Sequence, residues 1–174
     1  GVLRDLKRCS QALQCYDRAI RLRPGLAEAY SNRGGVLQDL GRREEALASC
    51  DRAICLNPGL TAAHSNRGST LRELRRYEEA LLSCERAILL SRDFAEAHSN
   101  RGCVLQALNR PEEALASFDK AIALHSGYAE AHANRGWVLR TLGRGEEALT
   151  SCERAISLRP DLAEAHSHRG CLYQ

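Results

Sequence analysis

A period of 34 residues restricts the fold of this chain more than any other feature of its sequence. One five-residue block recurs without slippage at a constant shift: Tyr30–Gly34, His64–Gly68, His98–Gly102, His132–Gly136 and His166–Gly170. A second block, Glu45-Ala-Leu47, recurs at the same shift at residues 79–81, 113–115 and 147–149. Such regular self-similarity is typical of arrays in which each repeat packs only on its neighbours.

The repeats divide into four full units and two partial ones: 1–26 (partial), 27–60, 61–94, 95–128, 129–162 and 163–174 (partial). In the unit 27–60, apolar and small residues recur at helical spacing over about residues 28–40 and again from Ala46 to Leu56. Charged residues make up 27% of the chain and aromatic residues only 5%, which leaves little material for one large core. The pattern therefore predicts antiparallel helix pairs that stack into a single domain.

The period and its recurring small and apolar positions, represented by Gly34, Leu37, Ala46, Ala53 and Pro58, resemble the tetratricopeptide repeat family along the whole chain. This resemblance implies an all-α fold, a right-handed superhelical α-solenoid of helix pairs. It also implies that one face of each first helix lines a concave groove that binds other polypeptides. Family likeness predicts the fold well but does not identify the ligand.

A helical wheel with about 100° per residue separates two sides of the first helix. Tyr30, Gly34, Leu37 and Leu40 lie on the side predicted to be buried. The opposite side and its equivalents in the other repeats are here named the groove face; in the first full repeat it comprises Glu28, Ser31, Asn32, Gly35, Gln38 and Asp39. The predicted peptide-binding residues on it are Asn32, Asn66, Asn100, Asn134, Ser31, Ser65, Ser99, Gln38, Arg72, Gln106, Arg140 and Trp137.

Asn32, Asn66, Asn100 and Asn134 form an asparagine ladder, one amide at the same position of four consecutive repeats. An amide donates and accepts, so it can bind peptide groups whatever side chains the ligand carries. With first helices about 10 Å apart and an extended chain rising about 3.3 Å per residue, every third ligand residue would meet an asparagine. The ladder is similar to the asparagine-lined groove of the O-linked N-acetylglucosamine transferase repeats. The alternative is that these amides bond neighbouring helices.

The charges predicted on the groove face are mostly acidic. Seven acids (Asp5, Glu28, Asp39, Glu73, Glu96, Glu130, Glu164) stand against three bases (Arg4, Arg72, Arg140). This balance disfavours a nucleic-acid ligand and favours a neutral or basic extended peptide. Members of the family that bind a C-terminal carboxylate use lysines where this chain has Ser31, Ser65, Ser99 and Ala133, so that subtype is rejected.

Two further columns are predicted to be structural. Arg33, Arg67, Arg101, Arg135 and Arg169 lie at the edge of the apolar face, where an unpaired guanidinium would be costly. We expect them to form a salt-bridge ladder with Asp51, Glu85, Asp119 and Glu153. A histidine recurs once per repeat, at His64, His98, His132 and His166, and successive histidines are expected about 10 Å apart. This spacing is too large for them to share a metal ion, whose ligands lie about 2 Å from it. We therefore predict that these histidines pack half-buried.

No phosphate-binding loop, metalloprotease motif or nucleophile motif is found, so we predict no catalytic residue, no metal site and no cofactor. No apolar stretch reaches the roughly 18 residues of a membrane span, and the eight cysteines lack CxxC pairs. These observations predict reduced thiols, a cytoplasmic location and no membrane partner. The chain contains no Met and begins within a repeat, which suggests a fragment.

The preferred hypothesis is a non-enzymatic scaffold that binds an extended peptide or partner protein in the groove. The first alternative is the substrate-recruiting arm of a larger glycosyltransferase-type enzyme. The second is a module that self-associates end to end, because a cut repeat exposes apolar helix faces.

Overall fold

The structure, a computed structural model, describes residues 2–173, with side chains from Arg8 onward. Within that range α-helices are the only regular secondary structure, which confirms the predicted fold class. Its ten helices are α1 (Val2–Leu22), α2 (Ala27–Asp39), α3 (Arg43–Leu56), α4 (Thr61–Glu73), α5 (Tyr77–Leu90), α6 (Ala95–Ala107), α7 (Pro111–Leu124), α8 (Ala129–Thr141), α9 (Gly145–Leu158) and α10 (Ala163–Gly170). Even-numbered helices are the first helices of the repeats, and odd-numbered helices are the second.

The helices belong to two compact units, the first ending at Arg92 and the second beginning at Asp93. In unit 1, α2 pairs with α3 and α4 pairs with α5, while α1 packs on α2, α3 on α4 and α2 on α4. In unit 2, α6 pairs with α7 and α8 with α9, while α8 also contacts α7, α6 and α10. Each first helix therefore packs against second helices on one side and against a neighbouring first helix on the other.

The core is built from small residues that let paired helices approach closely. Cys50, Cys84, Cys152 and Phe118 occupy one repeat position and are fully buried. Each faces a glycine of the partner helix; a Cβ at Gly34, for example, would lie 2.6 Å from Cys50 Sγ. Burial raises the pKa of Cys50 to about 12, so this thiol stays protonated and behaves as an apolar side chain.

Each full repeat turns from its first to its second helix through the same left-handed residue: Gly41 (φ 73°), Arg75 (φ 61°), Asn109 (φ 56°) and Gly143 (φ 74°). In the first of these turns, the N–H of Gly41 donates to Gln38 O and the N–H of Arg42 donates to Leu37 O. This is the Schellman arrangement that satisfies the last carbonyls of a helix. It reverses the chain in three residues and makes the two helices antiparallel.

Among the described residues, no helix combines the length and apolar character that crossing a membrane requires.

Candidate functional site

The amides of the asparagine ladder do not share one environment. Asn32 is exposed and has no bonding partner among the described residues. Asn66 is half-buried on α4, and its Nδ2 donates to Ser31 O at 3.2 Å and approaches Ser31 Oγ at 3.4 Å, both on α2. The Oδ1 atom of Asn66 has no partner in the described part of the chain. The amide of Asn66 thus joins two first helices and still presents an acceptor.

A related link occurs in unit 2, where the ladder ends. His168 on α10 replaces asparagine, and its Nδ1 donates to Ala133 O of α8 at 3.1 Å, the register of the Asn66 bond. Asn134 Nδ2 instead lies 3.4 Å from Cys103 Sγ of α6. Asn100 is half-buried and bonded as well. The helix-bonding alternative therefore describes part of what this column does.

The prediction that Ser31, Ser65 and Ser99 face a ligand is wrong, because these side chains are only 1%, 0% and 4% exposed. The wheel places them on the groove side, but they lie at its edge, where the neighbouring first helix packs. Ser31 receives the Asn66 amide, and Ser99 hydrogen-bonds the Tyr128 side chain. These hydroxyls join helices and cannot reach a peptide.

In unit 1, Gln38 is occupied by its neighbours. Its Nε2 donates to Ser69 Oγ at 2.7 Å and to Glu73 Oε1 at 2.6 Å. Arg43 Nε donates to the other oxygen of Glu73 at 2.8 Å. The Asp39 pKa is raised, first by partial burial and then by the nearby Glu73 charge. Gln38 therefore links α2 to α4, and Glu73 is neutralised from within the unit.

Arg72 and Arg140 occupy the same repeat position as Gln38. Gln106, which is half-buried, occupies that position in the third full repeat. The Nε atoms of both arginines are buried and have no hydrogen-bond partner, and neither residue has an ion pair among the described residues. The Arg140 guanidinium lies over Trp137, 4.1 Å from its ring centroid. The Trp137 and His168 ring centroids are 5.0 Å apart. Arg140, Trp137 and His168 thus form one contiguous cluster, here named the arginine–tryptophan cluster.

The acids of the groove face are less available than their number suggests. Glu73 is paired as above, and Glu130 is paired with Arg159 at 2.7 Å. Glu96 is exposed at the surface, but partial burial raises its pKa, and with Glu130 it lines an open depression of about 420 Å³ near the start of α6 and α8. Arg4 and Asp5, also counted in the predicted balance, lie outside the residues whose side chains are described.

The arginine salt-bridge ladder is confirmed for four of its five arginines, two in each unit, and among the described residues Arg169 has no ion pair. Of the predicted acids, Asp51 and Asp119 are partners. Three of these arginines donate a hydrogen bond from Nε to an aspartate of the preceding second helix. The distances are 2.7 Å for Arg33–Asp17, 2.6 Å for Arg67–Asp51 and 2.6 Å for Arg135–Asp119. The Arg101 guanidinium lies 3.9 Å from Glu113. These arginines are about one quarter exposed, which agrees with their predicted position at the edge of the core.

A column of buried serines completes this ladder and was not predicted from the sequence. A terminal nitrogen of each arginine donates to the serine 16 residues later at 2.6 or 2.7 Å: Ser49, Ser83, Ser117 and Ser151. Each arginine consequently contacts the second helix of its own repeat. The available signal was an invariant serine at one position of all four repeats.

The histidine column bonds to the turn that precedes each first helix. Three of these histidines donate from Nε2 to a backbone carbonyl of that turn. The bonds are His64 to Pro58 O at 3.0 Å, His132 to Ser126 O at 3.1 Å and His166 to Pro160 O at 2.9 Å. The predicted half-buried packing is found for His98 and His132, whereas His64 is buried and His166 is exposed. Within the described residues, no three potential metal ligands cluster, and all eight cysteines are free thiols.

Comparison with protein-family models gives four matches. Models described as tetratricopeptide repeat match residues 27–60, 61–94 and 99–163, and one described as TPR repeat matches residues 2–41. Together they span residues 2–163 with one short gap at residues 95–98. A search of curated proteins finds no match.

Solved structures similar to this chain are repeat proteins too. YrrB, described as a TPR protein with an unusual peptide-binding site, is 26% identical with a TM-score of 0.68, over 91% of this chain and 81% of YrrB. TTC0263, a thermophilic TPR protein of Thermus thermophilus, is 22% identical with a TM-score of 0.84, over 98% and 93% of the two chains. A tetratricopeptide repeat protein of Parabacteroides merdae is 23% identical with a TM-score of 0.72, over 97% and 67%.

Proposed function

We propose that this chain, which belongs to the tetratricopeptide repeat family, is a non-enzymatic scaffold that binds an extended segment of another polypeptide on its groove face. Proteins of this fold generally mediate protein–protein interactions. The observation that carries the proposal is the state of two amides in unit 1. Asn66 is oriented by its bond to α2 and keeps Oδ1 unpartnered, while Asn32 is exposed with no partner among the described residues.

An oriented amide is well suited to a peptide backbone. Asn66 Oδ1 accepts a ligand N–H, while its Nδ2 is held by Ser31 O, so little side-chain freedom is lost on binding. Asn32 can both accept and donate. Because these bonds are made to main-chain groups, they tolerate different ligand side chains. The peptide-binding site named for YrrB, at 26% identity, supports the same class of function here.

The test begins with a displayed library of random twelve-residue peptides selected on the folded chain. For the selected peptides, we expect Asn32→Ala to raise the Kd about tenfold, which corresponds to about 1.4 kcal/mol and to one or two lost hydrogen bonds. Fluorescence anisotropy measures the Kd. Asn32 makes no bond within the described chain, so this variant tests binding without removing a link between helices.

Two further variants show whether a change in Kd comes from a lost contact with the peptide or from a change in the fold. Gln14→Ala changes an exposed amide on the second-helix surface of α1 and should leave the Kd unchanged. Asn66→Ala should raise the Kd as well, with a lower melting temperature because it also removes the bond to α2. Equal affinities for the original chain and Asn32→Ala, or a library that yields no binder, would rule out the proposal.

A further inference from the structure

We infer that unit 2 selects an acidic side chain of the extended ligand, which binds Arg140 in the arginine–tryptophan cluster; this inference rests on the function proposed above. It names one specificity position, on α8 and next to α10. The bound group is a carboxylate of Asp or Glu within the peptide.

The arginine–tryptophan cluster holds its guanidinium in a defined place. His168 is tied to α8 through its bond to Ala133 O, and its ring contacts Trp137. Arg140 in turn lies over Trp137 at 4.1 Å, a cation–π geometry. A guanidinium stacked on a fixed aromatic ring loses less freedom when it binds a ligand than one that moves in solvent.

The nitrogen atoms of Arg140 lack an acceptor. Nε is buried without a hydrogen-bond partner, and no hydrogen bond or ion pair from the terminal nitrogens is found in the described chain. Only Nε is both buried and unpartnered, so the terminal nitrogens reach solvent. A carboxylate can accept from the two terminal nitrogens together, a bidentate geometry that suits guanidinium. Such a ligand would give these accessible N–H groups the acceptors that the described chain does not supply.

Charges around the two unpartnered arginines explain why Arg140 is the better anion site. The residue after Arg72 is Glu73, an acid, whereas the residue after Arg140 is Thr141 and the equivalent position on α6 is Ala107. Glu130 lies ten residues before Arg140, roughly 15 Å along the helix, and is paired with Arg159. At this end of α8 the sequence-based preference for neutral or basic ligands is therefore reversed.

The surroundings of α8 favour a side chain within the peptide over a chain terminus. In unit 2, α8 contacts first helix α6 on one side and first helix α10 on the other. An extended ligand that crosses these helices continues past Arg140 in both directions. A terminal α-carboxylate would have to end there, and it is treated as a competing outcome of the experiment.

The experiment uses the peptides selected from the twelve-residue library on the unmodified chain. We expect them to share one acidic residue, and its replacement by the matching amide to raise the Kd about tenfold. Arg140→Gln should raise the Kd of the acidic peptide by a similar factor. Combined with the amide peptide, Arg140→Gln should add little, because both changes remove the same interaction. The effect should shrink at high salt.

Controls separate this interaction from folding and from net charge. Glutamine already occupies the same repeat position at residues 38 and 106, so we expect Arg140→Gln to fold, and circular dichroism verifies it. Arg154→Gln removes an exposed charge on α9 of the same unit and should leave the Kd unchanged. Amidation of the peptide C-terminus should also have no effect.

Each result has a distinct meaning. If binding depends on Asn32 but not on Arg140 or the ligand acid, the proposed function stands and this inference is overturned. If C-terminal amidation abolishes binding, the carboxylate comes from a terminus and the inference is also overturned. If the library yields no peptide at all, both proposals fall together.

Discussion

Two adjacent glycines of α2 meet different surroundings, which makes them a sensitive test of packing at the level of single residues. A Cβ at Gly34 would lie 2.6 Å from Cys50 Sγ and 3.3 Å from the carbonyl of Ala46, whereas one at Gly35 meets only Asn66 Nδ2 at 3.7 Å. At Gly34 the contact with the Cys50 sulfur is too short, and the backbone carbonyl of Ala46 is also close; at Gly35 the contact is an ordinary van der Waals one. Identical residues in sequence therefore have different reasons to be glycine.

We expect Gly34→Ala to lower the free energy of unfolding by about 1–3 kcal/mol because it overpacks the core. Gly35→Ala should raise it by up to about 1 kcal/mol, since alanine is the better helix former. Urea denaturation measures both. A double variant, Gly34→Ala with Cys50→Ala, should recover part of the loss by removing the sulfur. A destabilising Gly35→Ala would contradict this account.

At the level of the helix pair, the left-handed turn residue is the same in position but not in type. Glycine takes this conformation without steric cost at Gly41 and Gly143, and asparagine tolerates it at Asn109, but Arg75 must adopt φ 61° with a Cβ present. The turn forms there because the Schellman bonds from Arg75 and Arg76 to the end of α4 require it. The turn at Arg75 thus shows that repeat context overrides local preference.

We expect Arg75→Gly to raise the melting temperature, with a gain of about 1 kcal/mol in the free energy of unfolding from relief of the left-handed strain. Arg75→Ala separates this effect from loss of the arginine side chain, because alanine keeps the Cβ and should bring no comparable gain. Thermal denaturation followed by circular dichroism measures both variants. Equal melting temperatures for the glycine and alanine variants would disprove the strain argument.

Across the molecule as a whole, the same side-chain interactions recur in successive repeats, and each contributes a small part of the stability. Four arginines of the ladder each contact an acid and the serine 16 residues later, as Arg67 does with Asp51 and Ser83. A second series begins every second helix within the four full repeats: Arg42–Glu45, Arg76–Glu79, Arg110–Glu113 and Arg144–Glu147, all at 2.7 Å. These pairs are exposed, so each contributes little alone.

The arginine–glutamate pairs predict a dependence of stability on pH. The hydrogen bond from the neighbouring arginine lowers the pKa of Glu45, Glu79, Glu113 and Glu147 below 4.5. A lowered pKa in the folded state stabilises the fold above pH 4.5, and this contribution is lost as the pH falls through the lowered values. We therefore expect Glu79→Gln to lower the melting temperature at pH 7 but not at about pH 3.

Glu78→Gln is the matched variant for that measurement, because it removes a charge from the same first turn and no ion pair of Glu78 is found in the described chain. Its effect at pH 7 should be smaller than that of Glu79→Gln. Glu96 and Asp39 oppose the trend, since their raised pKa values favour the folded state at lower pH. If Glu79→Gln lowers the melting temperature as much at about pH 3 as at pH 7, the stabilisation does not come from the ionised Arg76–Glu79 pair.

Other predictions remain untested: the single domain over all six repeat segments, the recruiting-arm and self-association alternatives, the exclusion of nucleic acid and membrane partners, and the cytoplasmic location. The resemblance of the asparagine ladder to the groove of the O-linked N-acetylglucosamine transferase repeats also stays a prediction. The experiments above address the ligand directly, and light scattering over a range of concentrations addresses self-association. A concentration-independent mass would exclude end-to-end assembly.

The order of amino acids alone specified the helices, their pairing and the arginine salt bridges, because these follow from local periodicity and from one spacing repeated through the chain. Packing in three dimensions was needed to show that Ser31 is buried, that Asn66 bonds to α2 and that Arg140 lies on Trp137. A helical wheel separates two sides of one helix, but residues at its edge become buried or exposed according to how closely the neighbouring helix packs.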